Sequence, residues 1–309
     1  MNELGQIPVA PPEFKSGFIG LIGRPNVGKS TLMNRLVGEK VAITSPVAQT
    51  TRNRLRGILT TETAQMIFVD TPGIHKPHHE LGRVIVKNAE STIEAVDLIL
   101  LIVDGSTPAG GGDRYIAQLL QKKAVPVLVG LNKTDLVTPE EREKNWATYQ
   151  TLFENQAWET MEFSALTGVG IEELQANLTA RLETGPYYYP PSVVTDQPEQ
   201  LVIAELIREQ ILRETRQEIP HSVAIIIDEI TEQKELTTIR ATINVERSSQ
   251  KGILIGKKGG MLKRIGSAAR AEMQKIIVGK VYLELFVRVQ SKWRESPRQV
   301  AEFGYFQEH

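Results

Sequence analysis

No cysteine occurs among the 309 residues, so disulfides, thiolate metal sites and cysteine nucleophiles are excluded. That absence fits a reducing cytoplasm. Long apolar runs are missing too. The longest, "LILLIV" at 98–103, falls far short of the roughly 20 residues a membrane-spanning helix needs. The first residues, "MNELGQIPVAPPEF", have neither the basic start nor the apolar core of a signal peptide, so none is expected. What is present is ordinary for folded protein, 41 % hydrophobic and 24 % charged residues, and the length suits two domains.

A further absence is local. From Arg247 to Arg270 there is no acid, while Arg247, Lys251, Lys257, Lys258, Lys263, Arg264 and Arg270 supply seven cations. The chain as a whole carries −1, but residues 1–200 hold 18 basic and 23 acidic side chains, and residues 201–309 hold 18 and 14. A solvated helix face would intersperse glutamates. An acid-free run suggests one dedicated anionic partner surface.

The chain divides by texture. "FIGLIG" (18–23), "MIFVD" (66–70), "LILLIVD" (98–104), "PVLVGLN" (126–132) and the weaker "TMEFSA" (160–165) are apolar without alternation, as in strands buried on both faces of a parallel sheet. Ligands of such sheets bind at the carboxyl ends of the strands. "GPYYYPPSVVTDQPEQ" (185–200), with four prolines, reads as an extended linker whose tyrosines pack on a neighbouring domain. A helix with apolar residues at 202, 203, 206, 207, 211 and 212 follows, then strand-like "SVAIIIDEI" and "TTIRATINVER". A short helix at "QKGILIG", the basic loop, a helix from Met261 to Ile277 and a last strand "KVYLELFVRVQ" complete an α-β-β-α-α-β order. The expected units are an extension at 1–16, an α/β domain at 17–184, the linker at 185–200 and an α+β domain with a C-terminal tail at 201–309.

The motifs carry the chemistry. "GRPNVGKST" (Gly23, Arg24, Pro25, Asn26, Val27, Gly28, Lys29, Ser30, Thr31) follows a predicted strand and opens a predicted helix, the context of a phosphate-binding P-loop. Lys29 would reach the β and γ oxygens, and the Ser30 hydroxyl would ligate Mg²⁺. "DTPG" (Asp70, Thr71, Pro72, Gly73) ends the second strand, with Asp70 toward the metal and the Gly73 N–H toward the γ-phosphate. "NKTD" ends the fourth. There Asn132 belongs to the GTP-binding set, Lys133 would lie along the base, and the Asp135 carboxylate would accept from both guanine N1–H and the exocyclic amine, a pair adenine lacks. In "SAL" (Ser164, Ala165, Leu166) the backbone N–H near Ala165 would meet guanine O6. Four motifs in order at strand ends specify GTP.

Between the first two lies "SPVAQTTRNR" (45–54), a polar loop in which Thr50 or Thr51 would place a hydroxyl and a carbonyl on Mg²⁺ and the γ-phosphate; the sequence does not choose between them. Many GTPases orient the attacking water with a glutamine directly after the DxxG glycine. Here that residue is Ile74, so intrinsic hydrolysis is expected to be slow. Asn26 is expected to help bind a K⁺ in place of an arginine finger, with Arg52 and Arg54 as rival charge donors. His75, His78 and His79 read as a polar loop, not a metal site.

"GKKG" adds a second anion loop. Gly256, Lys257, Lys258, Gly259 and Gly260 form a G-x-x-G turn between two helices, an arrangement that clamps the backbone of about four unpaired nucleotides. Lys251, Lys263 and Arg264 would extend the clamp. With no aromatic ring between Arg247 and Val281, bases would lie in an aliphatic groove against Ile253, Ile255, Ile265 and "TTIRATI".

Taken with "QTTR", "EIPHSVA", "IGKKGGMLKRIG" and "SKWRESP…FGY", the sequence resembles the Era GTPases over nearly its whole length. The resemblance implies an α/β P-loop NTPase G domain and a C-terminal α+β type II KH domain. It also implies a monomer that binds GTP and GDP, holds 16S rRNA near its 3′ end, and serves maturation of the small (30S) ribosomal subunit. Peripheral association with the inner membrane is part of what it implies, though no dedicated anchor is visible. Two other readings of the same residues are an RNA chaperone with structural GTP and a membrane-associated signalling GTPase.

Overall fold

The computed structural model describes residues 7–45, 55–73, 80–154, 156–215 and 219–305. The first domain runs β1 (Lys15–Ile22), α1 (Lys29–Val37), β2 (Leu55–Thr60), β3 (Ala64–Asp70), α2 (Glu80–Glu94), β4 (Leu98–Asp104), α3 (Gly111–Leu120), β5 (Val127–Asn132), α4 (Pro139–Phe153), β6 (Glu159–Glu162) and α5 (Ile171–Arg181). Its sheet has the order β2-β3-β1-β4-β5-β6. Every pairing is parallel except β2 with β3. β3 and β4 are buried at every residue, because helices cover both faces. Ile19, Leu21, Leu100 and Ile102 point to one apolar cluster, Ile22, Ile99, Leu101 and Val103 to the other. The strand ends at Ile22, Asp70 and Asn132 thus converge on one edge.

Two local expectations change. The extension expected to run to residue 16 already enters the sheet, since Lys15 and Ser16 pair with Ala64 and Gln65. No sequence pattern announces β2, whose apolar residues do not alternate and make no run longer than Ile58-Leu59. Its place is fixed from outside, by β3 and by the Ile58 N–H donating to the Val194 carbonyl at 2.8 Å.

Residues 185–198 form no helix or sheet strand, yet they dock on the first domain. The Gln65 carboxamide receives the N–H groups of Tyr188 and Tyr189 and donates to the Tyr189 carbonyl. Arg56 pairs with Asp196 at 2.6 Å, and Tyr187 packs on Phe14 with ring centroids 4.3 Å apart.

The second domain comprises α6 (Glu199–Glu214), α7 (Ile219–Ser222), β7 (Ala224–Gln233), β8 (Leu236–Val245), α8 (Ser248–Ile255), α9 (Gly260–Met273), β9 (Lys280–Val289) and α10 (Pro297–Glu302). β8 pairs antiparallel with β7 and parallel with β9, leaving α6, α8 and α9 to cover one face. α9 stops at Met273 and not at Ile277, before the β-branched Ile276-Ile277-Val278 and Gly279 in the left-handed region at φ 92°. The C-terminal segment closes over Trp293, fully buried, whose indole N–H donates to the Ser222 carbonyl at 2.9 Å.

α6 is buried all round at its middle, polar Arg208, Glu209 and Gln210 included, because it lies between the two domains. Across that boundary Lys40 pairs with Glu209 and Glu272, and Leu81 of α2 joins the cluster around Trp293, Val300 and Tyr305.

Candidate functional site

A pocket of about 660 Å³ opens where β1, β3 and β5 end. Pro25, Asn26, Gly28, Lys29, Ser30 and Thr31 line it from the first loop, Gly73 from the second motif, and Asn132, Lys133 and Asp135 from the third. Ala165 and Leu166 complete that side. Segments far apart in sequence meet because parallel strands deliver their carboxyl ends to one edge.

Inside the loop, Lys29 is buried, its ammonium donating to the carbonyls of Gly23 at 3.1 Å and Arg24 at 2.9 Å. Burial pushes its pKa down to about 8, opposed by the nearby Asp70 carboxylate. A buried ammonium on a glycine-rich loop at a helix start suits a phosphate. The Ser30 hydroxyl donates to Asp70 at 2.6 Å. That hydroxyl and fully buried carboxylate form a hard-oxygen pair suited to Mg²⁺.

The remaining motif residues brace the pocket. Arg24 pairs with Asp113 of α3 at 2.8 Å, Val27 is buried in the core, and the Thr71 hydroxyl donates to the Leu21 carbonyl. Pro72 is buried beside it. Asn132 ties two loops together: its amide nitrogen donates to the Val27 carbonyl at 2.8 Å, and its oxygen accepts from the Ala165 N–H at 2.9 Å. The Ala165 N–H, expected near guanine O6, donates to Asn132 in this structure. The exposed Leu166 comes next at the pocket wall. Ser164 orients Asp135, its hydroxyl donating to that carboxylate at 2.5 Å. Lys133 is pinned at 2.6 Å by Asp104, a partner that closes "LILLIVD" and that no motif marks.

Thr50, Thr51, Arg52, Arg54, Ile74, His75, His78 and His79 lie outside the described residues. Among the described residues no group of three or more His, Cys, Asp or Glu could hold a metal ion.

In the second domain the turn after α8 runs through Gly256 at φ 71°, Lys258 at φ 52° and Gly259 at φ 76° before α9 begins at Gly260. Lys257 and Lys258 are exposed at its tip, with Lys263 exposed on α9 and Lys251 half-buried on α8. Ile253, 52 % exposed, and the half-buried Ile255 flank the turn. One expectation needs correction. Ile265 is fully buried in the core and cannot line a groove. Arg264 pairs with Glu214 of α6 at 3.2 Å, so its charge is partly engaged within the domain.

The family model described as a 50S ribosome-binding GTPase matches residues 18–133, and the KH domain model matches residues 218–294. GTPase Era of Rippkaea orientalis is 63 % identical over 302 residues, covering 98 % of this chain and 96 % of that protein. GTPase Era of Nostoc sp. is 64 % identical over 299 residues, covering 97 % and 92 %. This chain belongs to the Era GTPase family. Two solved Era structures superpose with a TM-score of 0.90 at 38 % identity, each covering 94 % of this chain and 99 % of the other. One is a point variant of Aquifex aeolicus Era bound to GDP·AlF₄⁻; the other is a complex with MgGDPNP and nucleotides 1506–1542 of 16S ribosomal RNA.

An Era-family GTPase with its G domain and KH domain in this order is therefore a GTP-hydrolysing enzyme. The Era-type arrangement also contains residues that no motif announced. Glu209 of α6 is fully buried, accepting from Lys40 at 2.6 Å and from the Thr44 N–H at 3.2 Å. Arg213, one turn on, lines the nucleotide pocket.

Proposed function

We propose that this protein is a GTP-hydrolysing switch whose KH domain holds single-stranded 16S rRNA near its 3′ end during assembly of the small ribosomal subunit. The observation that carries the reading is the shared helix. α6 belongs to the KH domain, packs against α9, which starts at the G-x-x-G turn, and lends Arg213 to the nucleotide pocket. The two phosphate-binding loops thus sit on one mechanically joined unit. The Era complex with MgGDPNP and a 16S rRNA fragment supports the same pairing of ligands.

At the G domain, Lys29 would meet the β and γ oxygens of GTP, and the Gly73 N–H would approach the γ-phosphate. Asp135, held by Ser164, would read the guanine edge. Mg²⁺, held on the Ser30 and Asp70 side and by Thr50 or Thr51, would offset the charge on the β and γ oxygens. Asn26, whose backbone is left-handed at φ 64°, lines the pocket where a K⁺ would stand in for an arginine finger; equal turnover in KCl and NaCl refutes that element.

At the KH domain, the start of α9 and Lys257, Lys258 and Lys263 would grip the RNA backbone. A cytoplasmic monomer suits this work. Peripheral membrane association enters only through the family resemblance; no helix among the described residues is long and apolar enough to cross a membrane.

The test is RNA affinity in three states: nucleotide-free, GDP-bound and bound to a non-hydrolysable GTP analogue. The probe is a single strand matching the 3′ end of 16S rRNA, with the Lys257→Asp, Lys258→Asp variant as control. The switch predicts tighter binding with the analogue. It also predicts a weaker salt dependence in the variant, by ~0.7 in log–log slope for each phosphate no longer gripped. Affinity indifferent to nucleotide favours a passive RNA chaperone. Anionic vesicle binding that survives the charge reversal favours a membrane-directed GTPase.

A further inference from the structure

We propose that Arg213, a side chain of the KH domain, is a nucleotide-contacting residue of the G domain's site, held toward the ribose and α-phosphate by the buried Glu209. Among the described residues lining the 660 Å³ pocket, Arg213 is the sole one from beyond Gly185. It shares the wall made by Ile43, Thr44 and Ser45. Thr44 in turn borders a groove with Thr31 at the start of α1 and with Ala165 and Leu166 beside the base site. With the phosphates at α1 and the base at Asp135, a group on that wall would face the middle of a nucleoside diphosphate.

The simplest alternative is an i,i+4 helix pair with Glu209, at 3.0 Å, of the kind that adds little on a solvated surface. Glu209 does not need that partner. Its carboxylate is fully buried and already accepts from the Lys40 ammonium at 2.6 Å, the Thr44 N–H at 3.2 Å and the Gln210 amide at 3.3 Å. Lys40 also pairs with Glu272 at 2.9 Å, and Glu272 has Lys275 at 2.7 Å. The cluster therefore sets three cations, Lys40, Lys275 and Arg213, against two acids. The cluster keeps one net positive charge, and Arg213, whose side chain is 48 % exposed, is its cation that borders the pocket. Lys133, by contrast, already has Asp104. A guanidinium with one side anchored on a buried acid and five donors in a planar fork still has N–H groups to offer a phosphate or ribose oxygen. Because Arg213 is carried by α6, such a contact would tie nucleotide occupancy directly to the position of the KH domain.

This inference rests on the reading that the pocket is the guanine-nucleotide site, and the experiment separates the two. Calorimetric titration of GDP into the full-length protein would compare wild type with Arg213→Ala, Arg213→Lys and Asp135→Asn. The expected result is about tenfold weaker GDP binding in Arg213→Ala. Partial recovery is expected in Arg213→Lys, which restores charge without the fork. Thermal midpoints of the nucleotide-free proteins should stay nearly unchanged, since the side chain is half exposed. Asp135→Asn should lose GDP and gain xanthosine diphosphate. If Asp135→Asn behaves in that way while Arg213→Ala binds GDP within twofold of wild type, the role assigned to Arg213 is wrong. It is equally wrong if Arg213→Ala lowers the midpoint and leaves affinity intact. If Asp135→Asn keeps GDP and ignores the xanthine nucleotide, the pocket itself has been misread.

Discussion

Replacing Lys29 with methionine should make the nucleotide-free protein more stable while abolishing nucleotide binding. The side chain is 6 % exposed, and burial lowers its pKa from 10.5 to about 8. At ~1.36 kcal/mol per pH unit, that drop corresponds to roughly 3 kcal/mol of cost in keeping the cation buried. Methionine removes the charge at similar volume but forfeits hydrogen bonds to the Gly23 and Arg24 carbonyls, each worth about 0.5–1.5 kcal/mol. The net expectation at pH 7 is a gain of up to about 2 kcal/mol. The sign of its pH dependence follows from linkage. Between pH 8 and 10.5 the unfolded lysine keeps a proton that the folded one has released, so wild-type stability rises with pH through that window relative to the variant. Urea unfolding with EDTA and no nucleotide, followed by the fluorescence of Trp146 and Trp158 in the G domain, measures the difference. A variant less stable than wild type at pH 7, or a gap that stays constant from about pH 7 to 10, refutes the reasoning.

Asp135→Asn should weaken GTP by about 10³ and favour XTP, because the amide offers one acceptor to N1–H and one donor to the xanthine O2; competition binding reads both. Trp293→Ala should cost about 3–5 kcal/mol in the KH domain. The ring is fully buried, stacked 5.9 Å from Tyr305 and bonded to the Ser222 carbonyl. Hydrogen exchange should show that loosening extend into α2 through Leu81; faster exchange confined to residues after 219 would refute the importance of that packing.

The parallel core of the G domain is legible because burial on both faces writes itself as unbroken apolar runs, and each motif ends such a run. The edge strand β2 is not, since Leu55–Thr60 takes its place from β3 and from Val194, far away in the chain. The boundary between domains is the least legible. "LIREQILRE" reads as an amphipathic helix with solvated charges, whereas Arg208 and Glu209 are buried because a second domain covers the face that would otherwise meet water. A charge looks the same in sequence whether its partner is solvent or Lys40. The same limit applies to Ile265: an aliphatic residue after the G-x-x-G turn gives no sign of whether it faces RNA or the core.

The two loops also predict different responses to one substitution. Gly28 and Gly259 each cap the helix that follows, and both are left-handed, at φ 102° and 76°. Alanine costs roughly 1–2 kcal/mol of backbone strain at either place. At Gly28 a Cβ would also lie 2.2 Å from the Asn132 amide nitrogen. Asn132 would have to give up its bonds to Val27 and Ala165, so the phosphate loop and the base loop would fail together. Gly28→Ala should therefore remove GDP binding, not merely weaken it. At Gly259 a Cβ meets nothing within 4 Å. Gly259→Ala should leave nucleotide affinity and fold intact and lower RNA affinity alone, through strain and a methyl group at the mouth of the clamp. The contrast follows from what each ligand requires. A nucleotide enclosed on several sides needs a loop braced from behind, while a polynucleotide passing over a helix end needs open space in front. If Gly259→Ala binds RNA as wild type does, the turn at Gly256–Gly260 is not where the backbone passes.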